Sequence, residues 1–148
     1  MKVFGHPLHM MLIHFPTALL PMDVLLSFFA YYTKDNSFLS AAFFCLLAGV
    51  LGGIFSLITG LIDLLLIPKE KKPVIGAAVI HGFINGTVLL FFGIFAYKSW
   101  QLYPQLNMPH LPILIIKAVL AIVLFGGNYL GGKLILQHHI GVKNLEHL

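Results

Sequence analysis

Charge is what this chain has least of. Only 9% of its 148 residues are charged, and 59% are hydrophobic. A water-soluble domain carries about a quarter charged residues, so that class is excluded. Arginine is missing altogether, and the net charge of +4 rests on lysine alone. The lysines stand at the ends of apolar runs and not along one stripe, which argues against a nucleic-acid partner. The single cysteine, Cys45, excludes an internal disulfide and is silent on redox compartment. No nucleophile–base pair and no phosphate-cradling loop stands out, so hydrolysis and phosphoryl transfer have little support. Pro and His interrupt the N-terminal run and no small-residue cleavage site follows it, so no cleavable signal is expected.

What the chain has is apolar length. Runs over roughly 8–32, 38–67, 74–100 and 110–136 each come near or exceed the about 20 residues that a helix needs to cross hydrocarbon. They are too long and alternate too little to be barrel strands. Turn chemistry separates them: Thr33 to Ser37, Pro68 to Pro73, and Tyr103 to Pro109. Pro16 and Pro21 should bend the first helix. The reading is an all-α integral membrane four-helix bundle, up-down-up-down, with 1–148 as a single domain and both termini on the same side. Lys2, Lys69, Lys71, Lys72 and Lys143 belong to one face, against Lys34 and Lys98 on the other. The positive-inside rule puts that richer face, with both termini, in the cytoplasm.

The histidines gather at the same face. His6, His9 and His14 open the chain, His81 lies early in the third run, and His138-His139 follows the fourth. Imidazoles converging from three helices in a low-dielectric setting point to a bound metal or haem. His14 and His81 are expected below the headgroups at similar depth, and ionisable residues there usually face the bundle interior. The bland alternative is an imidazole hydrogen-bonded to a carbonyl across a helix contact. His6 and His9 suit a rim site or a second metal, and His138 suits the cofactor's polar edge.

Other polar and small residues fit around this pair. Gly49, Gly53, Ser56, Gly60 and Asp63 share one helix face, as small-residue packing or as room for a macrocycle edge. Asp63 could orient an imidazole, bind a metal or cap its helix against Lys69. Asn85 stands one turn after His81, and Asn128 lies in the last run; each bonds a ligand or a neighbouring helix. Asp23 and Lys117, the remaining charges inside spans, are placed to pair. Tyr31, Tyr32, Tyr97, Trp100, Tyr103 and His110 read as interfacial residues.

Gly5-His6-Pro7-Leu8-His9 with Leu12-Ile13-His14-Phe15-Pro16 resembles the opening of an uncharacterised bacterial membrane-protein family, domain of unknown function 2231. Gly60-Leu61-Ile62-Asp63, His81 with Asn85, and Gly131-Gly132-Lys133-Leu134 with His138 resemble its later motifs. The chain departs from that pattern at Met10, Leu136 and His139. Some members are fused to Rieske or cytochrome c domains, which implies electron transfer by analogy. The resemblance implies a multi-pass protein of the bacterial inner (cytoplasmic) membrane.

Three functions follow. The first is a b-type cytochrome with haem b between the first and third helices, held by His14 and His81. Asn85, His138, Gly53 and Gly60 would surround it, and Lys69, Lys71 and Lys72 would meet its propionates. It would pass electrons between a quinone pool and a Rieske or cytochrome c type partner. The second is a non-haem site or carrier for zinc, iron or copper, using His6, His9, His14, Asp63, His81 and His138. The third is a structural subunit of a larger complex or a homo-oligomer. An electron-transfer protein is favoured over an enzyme with its own substrate.

Overall fold

A computed structural model describes residues 2–3 and 6–138, with side chains described for 8–134 and 136. A short antiparallel pair comes first, β1 (Lys2–Val3) with β2 (His6–Pro7). Five helices follow: α1 (Leu8–Leu12), α2 (His14–Thr33), α3 (Asn36–Leu65), α4 (Lys72–Leu102) and α5 (Leu111–His138). The first two make one span, so four helices are long and apolar enough to cross a membrane. Helix is what such sequences must form in hydrocarbon, because it satisfies every backbone group within the segment. The observed limits fall within about three residues of those read from the sequence.

Local chemistry places the breaks. Pro16 has no N–H to give to the carbonyl of Leu12, and the assignment breaks at Ile13 between α1 and α2. Pro21 is carried inside α2. Lys34 closes α2 with a positive φ of 59° and donates its N–H to the Ala30 carbonyl. Asp35 caps α3 by accepting from the Ser37 N–H at 2.8 Å, which holds its carboxyl below the usual range. Pro73 stands in the first turn of α4, where the missing N–H costs nothing.

The helices form a ring of contacts: α2 with α3, α3 with α4, α4 with α5, and α5 with α2, while α1 lies on α3. Partner numbers fall as residue numbers rise in each pair. Phe15 and Leu20 meet Gly52 and Gly49; Thr17 and Asp23 meet Asn128 and Lys117. The core holds Leu20, Val24, Leu46, Val88, Phe92 and Leu124. At the end of the bundle away from His9, Phe43 stacks on Tyr103 with ring centroids 4.9 Å apart, and Trp100 lies beside them.

Asp23 and Lys117 meet inside this core at 2.9 Å, 1% and 7% exposed. Ser27 donates to the same carboxylate oxygen at 3.2 Å, and the ammonium also reaches Ser27 Oγ at 3.4 Å. Asp23 is ten residues from the end of α2, about 15 Å along the axis at 1.5 Å per residue. The pair therefore sits well inside the span and ties α2 to α5. Removing one partner of such a pair leaves a buried charge and costs about 3–5 kcal/mol. Asp23→Leu and Lys117→Met should each lower the thermal midpoint in detergent, while the double variant should recover most of the loss. Single losses that simply add in the double variant would show that the two charges do not act as a pair.

Candidate functional site

One end of the bundle encloses a cavity of about 780 Å³ between all the helices. That lies within the roughly 300–1,000 Å³ typical of sites for small ligands. Most of its wall is apolar, and the polar side chains on it are few. His9, Thr17, Ser56, Asp63, His81 and Asn85 are among them, with Asn128 deeper in.

His9 enters from α1. Its Nδ1 lies 2.9 Å from the Ser56 carbonyl oxygen on α3. A carbonyl can only accept, so the proton belongs on Nδ1 and Nε2 keeps its lone pair. Gly60, one turn after Ser56, makes the approach possible. A Cβ there would stand 2.8 Å from His9 Cε1. His81 enters from α4 in the same way. Its Nδ1 donates to the Gly127 carbonyl on α5 at 2.8 Å, and a Cβ on Gly131 would stand 2.6 Å from His81 Cε1. Each pair of helices thus delivers one imidazole by one device: a carbonyl at position i, a glycine at i+4, and a ring fixed by Nδ1. Both residues line the same cavity.

The surrounding groups support these rings. Asn85 brings its amide to 3.2 Å from His81 Nδ1. With that nitrogen already a donor to Gly127, the amide oxygen is the atom that belongs there. One amide atom of Asn85 then stays unpartnered beside the cavity, as the oxygen is in the orientation recorded. Asn128 donates to Thr17 Oγ1 at 3.0 Å, so its amide joins α5 to α2. Asp63 lines the cavity, and His9 is within electrostatic reach of both Asp63 and His81. Among the described residues, no group of three His, Cys, Asp or Glu side chains is placed to hold a metal ion.

The expected positions divide. His81, His9, Asn85, Asp63, Gly53 and Gly60 are brought to one cavity. His14 is not: its ring is exposed on the outer face, with Nδ1 3.2 Å from the Met11 carbonyl. Helix phase gives the reason. His14 is two residues before the buried Pro16, about 200° around the helix, whereas His9 is seven before it and on the same face. Depth and helix direction selected His14, but its phase turns it away from the cavity that His9 lines. Gly53 and Gly60 border the cavity, but their missing side chains are filled by Leu89 and His9. The room they give is first of all for packing and for an imidazole. The side chains of His6 and His138, and all of His139, lie outside the described residues.

No curated protein and no solved structure matches this chain. A family model described as a predicted membrane protein (DUF2231) matches residues 5–144. That span holds all four apolar helices and both imidazole-bearing pairs, and the chain belongs to this family of membrane proteins, DUF2231.

Proposed function

We propose that this membrane protein is a small b-type cytochrome that binds haem in the cavity through His9 and His81. It would pass single electrons between a quinone pool and a Rieske or cytochrome c type partner at the bacterial inner membrane. The observation that carries the reading is the matched state of the two imidazoles. Each gives its Nδ1 proton to a helix carbonyl, and both residues line one cavity. Histidine ligands are oriented and made more basic by such a bond on the far nitrogen. The cavity volume and apolar wall suit a large planar group. Haem would supply a one-electron couple there, tuned by its ligands and by burial. The protein's own part would be to hold the two rings and to offer Lys71, which also lines the cavity, to the anionic propionates.

A second reading has its own observation. Asp63 lines the same cavity, and zinc, iron or copper without a macrocycle would need His9, His81 and Asp63 to draw closer together than they stand. An optical spectrum with metal analysis separates the two. Under the haem reading the purified protein has a Soret band and sharp α and β bands after dithionite. A colourless protein with stoichiometric metal favours the second reading. A colourless, metal-free protein that folds normally leaves a structural subunit.

Substitution then tests the ligands. His9→Ala and His81→Ala should each abolish the low-spin spectrum, while His14→Ala should keep it. Loss in His14→Ala with retention in His9→Ala would overturn the assignment. The glycines give a second test. Gly60→Leu and Gly131→Leu should displace the rings and lower haem content, whereas Gly126→Leu, with no atom within 4 Å of an added Cβ, should not. Equal haem content in all three would remove the role given to close approach.

The lysine bias supports a cytoplasmic position for the site end. Single cysteines at Lys2, Lys71 and Lys143 in a Cys45→Ser background should all label from the cytoplasmic side. Labelling of Lys71 from the other side would reverse that orientation.

A further inference from the structure

The cavity is walled on two helices and open between the other two. Its lining on α2 and α5 includes the buried Pro16, Leu20, Leu124 and Leu134. On α3 and α4, lining residues are exposed as well: Leu57, Leu61, Val79 and Phe83, at 44%, 56%, 49% and 74%. Farther from the site end these two helices touch, at Gly53 with Leu89 and Gly86 with Leu57. One turn beyond, at Gly82, no atom lies within 4 Å of an added Cβ. A gap therefore starts where the contact ends, and the exposed side chains bordering it are aliphatic or aromatic. Both helices are spans, so the gap faces hydrocarbon. A molecule using it must dissolve in lipid. Inside, the polar groups wait at His9, His81, Asn85 and Asn128. That order, apolar at the entrance and polar at depth, matches an amphiphile with a compact polar ring and a hydrocarbon tail.

We infer that the gap between α3 and α4 is the lateral entrance by which a quinol with a long hydrocarbon tail reaches the cavity. Its ring lies toward the unpartnered amide atom of Asn85, and its tail leaves between Leu61 and Phe83. The choice of a quinol rests on the redox reading above; the route rests on the shape of the cavity.

Gly82 is the position to close. Its open surroundings let a larger side chain enter the gap without disturbing a neighbour. Gly93 on the same helix is equally open but does not line the cavity, so Gly93→Leu is the matched control. In nanodiscs, a photoreactive quinone bearing a hydrocarbon tail should label peptides holding residues 57–61 and 79–83. Labelling should fall about tenfold in Gly82→Leu and change less than about twofold in Gly93→Leu, as blocked access would produce. This measurement needs no haem. In haem-loaded protein, reduction by a tailed quinol should slow by a similar factor in Gly82→Leu, with the dithionite spectrum unchanged. Labelling that ignores Gly82→Leu, or that falls elsewhere on the chain, overturns the entrance. A colourless protein that still labels between α3 and α4 refutes the haem reading and leaves the entrance standing.

Discussion

The site depends on where two imidazole protons go. In hydrocarbon a polar hydrogen needs a partner within the protein. His9 and His81 each find one on a backbone carbonyl of the neighbouring helix, at 2.9 and 2.8 Å. That bond fixes the ring plane, the tautomer and the direction of Nε2. It also requires the two helices to approach closely, so the glycines at 60 and 131 follow from it. The same geometry appears once in each half of the chain. Two imidazoles with equivalent chemistry therefore face one cavity, although 72 positions separate them in sequence.

The small residues are best understood through what fills them. Leu20 lies against Gly49, Leu89 against Gly53, and the His9 ring against Gly60. Lipid gives helices little hydrophobic reason to associate, so close packing of small faces has to hold them together. Along α3 the stripe serves helix packing at one end and makes room for the His9 ring at the other. α5 carries the second instance, with Asn85 against Gly127 and His81 against Gly131.

The two halves of the bundle differ in kind. Around Asp23, Ser27 and Lys117 the interior is closed, and charge is matched by charge. Around His9 and His81 the interior is hollow, and the polar side chains on its wall are few. In the closed half the Asp23–Lys117 pair ties α2 to α5. Asn128 with Thr17 stands between them as the last side-chain bond joining α2 to α5 before the cavity widens.

The sequence by itself determined the class, the four spans and the end where the chemistry gathers. Run length, missing charge and lysine placement are properties of hydrocarbon solvation, which acts on each segment separately. The proximity of His81 and Asn85 was legible because both lie on one helix, one turn apart. The inward face of α3 was legible from the spacing of Gly49, Gly53, Ser56 and Gly60. The inward face of His9 was legible too, since the buried Pro16 and Asp23 lie two and four turns away on the same face. Only the tertiary structure decided the rest. The acceptors for the two rings are backbone carbonyls, which every residue has, so no side-chain pattern marks Ser56 or Gly127 as the chosen ones. The gap beside Gly82 likewise depends on where α3 and α4 part, and that is a relation between helices that neither sequence segment contains.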